Sequence, residues 1–222
     1  MIAAVVIASG FSTRMGRSKL DLELGGESFL ARAIRAASLA DGVERCLVVV
    51  RPGDEDKLVA FVPGLGSAAL NPRSAPPGTS VDNMGAAPIV GVLNPHAHEG
   101  QSASIRLAVA ELNADPEIEA VIFSVVDQPF LTSSVFETLV GAWHASPDSI
   151  FVSSYAGQRG NPALFPRRFF GELLDLTGDV GGRDVIRRHP DSVREVPMPD
   201  ANAGRDVDTW EEYLEAQHLL AG

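Results

Sequence analysis

Ile2-Ala3-Ala4-Val5-Val6-Ile7-Ala8-Ser9-Gly10-Phe11-Ser12-Thr13-Arg14-Met15-Gly16-Arg17-Ser18-Lys19 opens the chain with an apolar run that passes straight into a turn of small residues. The run is far shorter than the ~18 apolar residues of a membrane span, and no Lys or Arg precedes it as a secretory signal requires. It reads as a buried strand. The turn after it exposes backbone N–H groups that can wrap a polyphosphate, with Arg14 able to grip phosphate oxygens in bidentate fashion and Lys19 supplying a point charge. The Gly-Lys-Ser/Thr ending of a Walker A loop is absent. An ordinary strand-to-helix turn, whose glycines need only permit φ > 0, fits the same residues, so the local sequence leaves both readings open.

Working outward, short apolar runs alternate with segments of helical period, the pattern of βα units in a mostly parallel sheet. Ser28 is placed to cap a helix carrying Leu30, Ala33, Ile34 and Ala37, with Gly42 placed to end it, and Leu47 to Val50 follows as a strand. Gly64 to Leu93 is rich in Ala, Pro, Gly and Asn without a period, and reads as a long loop or lid insertion. Ser102 is placed to cap a helix through Ile105, Ala108, Val109 and Leu112. Ala120 to Val126 is a strand buried on both faces, followed directly by Asp127-Gln128-Pro129. Thr132 opens another helix through Trp143. Ile150 to Val152 and Ala163 to Phe165 read as strands flanking Gly157 to Pro162, and Arg205 to Val207 as a short strand. Thr209 and Glu212 form a capping box for the last helix.

With 222 residues, 45% hydrophobic and 21% charged, the chain has the size and composition of one globular domain, residues 1–222. A net charge of -11 argues against a nucleic-acid partner, and no segment argues for a membrane. The single cysteine, Cys46, lies in an apolar run and cannot form an internal disulfide, which suits a cytoplasmic location. Lys19 and Lys57 are the only lysines, so Lys19 beside Arg14 and Arg17 makes the head locally basic.

Asp127 stands just past the central strand, where open α/β sheets place their ligands, and a carboxylate there can hold Mg²⁺ against a triphosphate. A plain turn residue before Pro129 is the competing reading. Asp206 and Asp208, two residues apart at a strand end, would leave the same face and offer a second carboxylate to one metal. His96 and His98 have no companion ligands, and Trp143 and Trp210 suit packing. No Gly-x-Ser-x-Gly is present, and Gly178-Asp179-Val180-Gly181-Gly182-Arg183 lacks the strand that a dinucleotide fingerprint needs before it.

The head, Glu99-Gly100-Gln101-Ser102-Ala103-Ser104, Asp127-Gln128-Pro129, Gly157-Gln158-Arg159-Gly160-Asn161-Pro162, Gly178 to Arg183 and Asp206-Val207-Asp208-Thr209 together resemble, in order, the molybdenum cofactor nucleotidyltransferase family. Within it the cytidylyltransferase-like branch is the nearest. That resemblance implies a single Rossmann-like nucleotidyltransferase domain of α/β class, with a mostly parallel central sheet flanked by helices. It implies that Ala8, Ser9, Gly10, Ser12, Arg14 and Lys19 hold the triphosphate and that Gln101, Ser102 and Ser104 read base and ribose. Arg159, Gly160, Asn161, Gly182 and Arg183 match the acceptor side. Asp127 and Asp208 match the Mg²⁺ ligands, with Arg14, Lys19 and Asp127 catalytic. The implied reaction transfers a nucleoside monophosphate from CTP to the phosphate of a pterin acceptor, molybdopterin, releasing pyrophosphate. The product would pass to a molybdoenzyme or its chaperone. The rivals are GTP as donor, a sugar phosphate as acceptor, and a non-catalytic protein that carries the cofactor. Ser9 replaces the family's usual Ala, Trp210 stands where Pro is frequent, and the Gly64 to Leu93 segment has no counterpart.

Overall fold

Every residue of Ile2–Ile7 is buried, as the unbroken apolar run demands, and this strand, β1, organises the rest of the chain. The computed structural model describes residues 1–11, 15–16, 18–61 and 86–221. After β1 come a short hairpin, β2 (Glu23–Leu24) and β3 (Glu27–Ser28), then α1 (Phe29–Ser38), β4 (Arg45–Val50), α2 (Glu55–Phe61) and β5 (Ile89–Leu93). The chain continues through α3 (Gln101–Asn113), β6 (Ala120–Val125), α4 (Ser133–Ala145), β7 (Ile150–Tyr155) and β8 (Gln158–Pro166). It ends with α5 (Phe170–Leu174), α6 (Arg183–Arg188), β9 (Val193–Pro197) and α7 (Trp210–Ala221).

Seven strands form one sheet in the order β5-β4-β1-β6-β8-β7-β9. Only β8 runs antiparallel to its neighbours, so the sheet is mostly parallel, as the alternating pattern implies. Period-two alternation along β1 divides the core. Ala4 and Val6 join Phe29, Leu30 and Ile34 of α1, and Ala3 and Val5 join Ile105, Ala108 and Val109 of α3. Helices therefore cover both faces, the arrangement that a buried parallel sheet requires. The chain builds outward from β1 through β4 to β5, then returns across β1 to start β6. The switch point lies between β1 and β6, and the crevice at their carboxyl ends is where such sheets bind ligands.

Several local readings hold. The Ser28 hydroxyl accepts the Ala31 N–H at 3.1 Å, and Thr209 and Glu212 make the reciprocal capping box at α7. Others are corrected. Gly64 to Leu93 is not loop throughout, because Ile89–Leu93 pairs in parallel with β4, the β-branched residues around Gly91 packing as an edge strand. Residues 64–85 of that segment lie outside the described residues. Gly100, not Ser102, is the N-cap of α3, and Ser102 sits one residue inside the helix. The Gly100 φ of +100° and the 2.6 Å that would separate a Cβ there from the Asp179 backbone restrict that position to glycine. α1 stops at Ser38, before Gly42. Gly157 to Pro162 belongs mostly to the longer strand β8, joined to β7 by a turn at Ala156 and Gly157. Arg205 to Val207 is not a strand: among the described residues no strand pairs with it, and the Val207 N–H instead bonds the Asp127 carbonyl at 2.9 Å.

Candidate active site

The turn after β1 is fixed at both ends. The Ala8 N–H donates to the Val49 carbonyl at 2.8 Å, and past the turn Leu20 and Leu22 are buried in the core. This anchoring carries Lys19, only 8% exposed, inward to the crevice. Lys19 Nζ donates to Asp127 Oδ2 at 3.3 Å and also to Asp208 Oδ1. Residues from three distant parts of the chain, all named from the sequence, thus converge on one ion-paired centre. Ser12 and Arg14 lie outside the described residues.

Asp127 is delivered by the end of β6, and Asp208 by the irregular segment that the Val207 to Asp127 backbone bond docks against it. The α7 cap holds the far side, since the Asp208 N–H donates to Glu212 at 2.7 Å. Asp206 and Asp208 do not act as a pair on one face. Asp208 meets Lys19, whereas Asp206 accepts from the Gln128 side-chain amide at 2.9 Å. Burial, and then the neighbouring Asp127 charge, push the Asp206 carboxyl above its ordinary range, against the Gln128 hydrogen bond. Asp127 Oδ1 is buried and has no hydrogen-bond partner among the described residues.

Two cavities, of about 590 and 610 Å³, meet at this centre and share Ile7, Gln101, Val125, Asp127 and Asp179 as common wall. Ser9, Gly10, Lys19, Ser104 and Asp208 line the first, and Arg159, Gly160, Asn161, Gly182, Arg183 and Asp206 the second. Each volume is within the range of small-molecule sites. In the first lobe Ser9 and Ser104 share a 2.6 Å hydrogen bond, and Asn94 Nδ2 donates to Ser104 at 2.9 Å. Ser102 is not among the lining residues. Its hydroxyl is buried and donates to the Gly178 carbonyl while accepting from Arg106, which fastens α3 to the segment before α6. In the second lobe Arg159 pairs with Glu195 at 2.7 Å, while the Arg183 side chain is exposed and has no hydrogen bond or ion pair among the described residues.

Sequence reasoning missed Asn94 and Arg106, and quoted Asp179 and Gln128 within motifs without giving either a role. Asn94 is 1% exposed at the end of β5, so recognising that strand would have exposed it as a buried polar residue at a strand terminus. Asp179 accepts the Gln101 N–H at 3.2 Å from 78 residues away, a contact with no local signal.

A mostly parallel sheet with a lysine and carboxylates gathered at its switch point, between two cavities, has the form of an α/β nucleotidyltransferase domain. The chain belongs to the MobA-like NTP transferase domain family, which it matches over residues 4–193, and it is a nucleotidyltransferase. It is 27% identical over 213 residues to the purine catabolism protein PucB of Bacillus subtilis (strain 168), covering 96% of this chain and 94% of that protein. A shorter likeness, 47% over 68 residues, is to a bifunctional enzyme IspD/IspF of Anaeromyxobacter sp. (strain Fw109-5). It covers 31% of this chain and 18% of that enzyme. Among solved structures, the Mycobacterium sp. strain JC1 homologue of Mycobacterium tuberculosis rv0371c superimposes with a TM-score of 0.73 at 26% identity, over 99% of this chain and 96% of that chain. Among the described residues, no helix is long and apolar enough to cross a membrane.

Proposed function

We propose that the enzyme transfers a nucleoside monophosphate from CTP to the terminal phosphate of a molybdopterin acceptor, with release of pyrophosphate. The observation that carries this reading is the position of Asp127, which lines both cavities and is paired with Lys19. A transfer between two bound substrates needs a donor lobe and an acceptor lobe that meet where phosphoryl charge develops. The first lobe, with Ser9, Gly10, Lys19, Gln101 and Ser104, is the donor side. The second, with Arg159, Gly160, Asn161, Gly182 and Arg183, is the acceptor side. The cytidylyl donor and pterin acceptor rest on the resemblance of the ordered motifs to the cytidylyltransferase-like branch.

Lys19 carries positive charge to the junction, where it neutralises the triphosphate and the charge that builds on the α-phosphate. An acceptor phosphate is already anionic near neutral pH and needs no general base to attack in line. Holding the two phosphates in register across the wall of Gln101 and Asp127 is then the main work of the protein. The buried, unpartnered Asp127 Oδ1 and the all-oxygen donor set of Asp127 and Asp208 fit a hard divalent cation, so these two residues would hold Mg²⁺. Bound there, the ion supplies Lewis-acid polarisation of the phosphoryl oxygens. Asp208 is paired with Lys19, which keeps the carboxylates compensated until substrate arrives.

The test is thermal stabilisation by a panel of nucleoside triphosphates with Mg²⁺, followed by pyrophosphate release with molybdopterin. A donor at 100 times its dissociation constant adds about 2.7 kcal/mol of stability. CTP is expected to stabilise most and to release pyrophosphate only with the pterin. Selective stabilisation and turnover by GTP, or turnover with a sugar phosphate, would replace the substrates named here. Binding without pyrophosphate release from any donor and acceptor pair would overturn the reading.

A further inference from the structure

Gln128 follows Asp127 directly, yet it lines neither cavity and is only 2% exposed. A wholly buried glutamine needs a reason to be there, because its amide must be hydrogen-bonded to avoid a desolvation cost. Both amide protons are used, whereas the buried Oε1 has no hydrogen-bond partner among the described residues. Nε2 donates to Asp206 Oδ1 at 2.9 Å and to the Gly204 carbonyl at 3.1 Å. Both partners are acceptors, so the nitrogen and not the oxygen must face them, which fixes the orientation of the amide on chemical grounds. One residue earlier, the Asp127 carbonyl accepts the Val207 N–H at 2.9 Å. Adjacent residues therefore grip positions 204, 206 and 207 of a segment that has no strand partner among the described residues. From this segment Asp208 turns to the first lobe and Asp206 to the second.

Resting on the nucleotidyltransferase reading above, we propose that Gln128 is a positioning residue for the transfer. Its buried amide clamps Asp206 and Gly204, and so sets how the 204–208 segment presents Asp208 to the donor and metal, and Asp206 to the acceptor. Asp206 is surrounded by like charge, from Asp127 and Asp208, with Lys19 the opposing cation. Without a donor at Oδ1 it has every electrostatic reason to turn away from Asp127, and the segment that carries Asp208 turns with it. The amide supplies that donor without adding charge, which a lysine or arginine in its place could not do.

Gln128→Leu removes both donors at similar volume, and Gln128→Glu keeps the shape while setting a carboxylate against a carboxylate. Loss of a residue that orients metal ligands typically costs 10- to 100-fold in metal affinity or activity. Both variants are therefore expected to lower kcat, and to weaken binding of Mn²⁺ alone, titrated by electron paramagnetic resonance, by about that factor. Nucleoside triphosphate binding without metal is expected to stay within about twofold, because Gln128 lines neither lobe and its side chain bonds Asp206 and Gly204, neither of which lines the first. The double variant Gln128→Leu with Asp206→Ala should be no worse than the worse single, since each change removes the Gln128–Asp206 hydrogen bond. Unchanged kcat and Mn²⁺ affinity in a folded Gln128 variant, or additive losses in the double, would overturn the proposal. If the leucine variant does not fold, the glutamate variant carries the test alone. Failure of the wild-type enzyme to release pyrophosphate would instead strike at the function, and the Mn²⁺ titration would still judge the clamp.

Discussion

The two lobes of the cleft are built in different ways. The proposed donor lobe lies at the parallel half of the sheet, where the polar groups lining or backing it are buried and committed: Lys19 to two carboxylates, Ser9 and Asn94 to Ser104. The proposed acceptor lobe is lined by the antiparallel strand β8 and by α6 with the segment leading into it, and its cations are exposed. Buried, mutually bonded groups keep one geometry, as a triphosphate common to many reactions needs. Exposed arginines on a hairpin and on a short helix adapt more readily, and peripheral segments set on a rigid scaffold are where specificity changes at least cost to the fold. On the proposed assignment, the difference teaches that the chemistry would be fixed in one half of the sheet and the choice of acceptor in the other.

The comparison breaks first at the junction. Lys19→Ala and Asp127→Ala should each lower the rate of pyrophosphate release by about 10² to 10³ while the protein stays folded, the range seen when one preorganised charge-stabilising group is removed. Wild-type turnover in either variant would move the chemistry out of the donor lobe. The next test separates the lobes. Arg183→Ala should raise the acceptor KM by about 10- to 100-fold, since a hydrogen bond to a charged group contributes about 1.5–3 kcal/mol, and should leave the nucleotide KM alone. An effect on the nucleotide KM instead would erase the boundary drawn at Gln101 and Asp127. A third variant probes the rigidity claimed for the donor side. Asn94→Ala leaves the buried Ser104 hydroxyl one partner short, and should lower unfolding stability by about 1–3 kcal/mol in a denaturant melt, with a rise in nucleotide KM.

How much of this was legible in the sequence follows the same divide. β1, β6 and the residues at their ends could be read because a strand buried on both faces has an apolar run of its own, and Lys19 and Asp127 punctuate those runs. The parallel sheet followed from the alternation, and the capping residues Ser28, Thr209 and Glu212 from local chemistry. β5 was hidden because Gly91 interrupts it and the segment before it is rich in Gly and Pro, and with β5 went Asn94. The Arg205 to Val207 segment looked like a strand because extended residues near carboxylates satisfy the pattern. Whether a neighbour pairs with it is decided by topology and not by composition. Asp179 capping α3 and Gln128 clamping Asp206 join residues more than seventy positions apart, and no local pattern encodes such a pair.

The smallest expected effect concerns how Asp208 is held to the donor side. The Glu212 carboxylate accepts the N–H groups of Asp208 and Thr209, at 2.7 and 2.9 Å, and the Glu212 N–H donates to the Thr209 hydroxyl. Thr209→Ala should therefore lower stability by about 1 kcal/mol, the usual loss for a helix cap. A pH dependence identifies the charged half of the box. The Asp208 N–H, and then the Thr209 contacts, hold the Glu212 carboxyl below the ordinary glutamate value of 4.5, in spite of some desolvation. A carboxyl whose folded-state value is depressed contributes stability that is present above its unfolded value and is lost as pH falls through the folded one. Glu212→Gln keeps an acceptor in place and removes the charge. Its deficit against wild type should be present at pH 7 and shrink as pH falls below about 4.5. Because the Asp208 N–H is one of the bonds weakened, the same variant should also require more Mg²⁺ for half-maximal activity. A stability loss independent of pH, with unchanged Mg²⁺ dependence, would show that α7 merely closes the fold and leaves the placing of Asp208 to Lys19 and the backbone bond at Asp127.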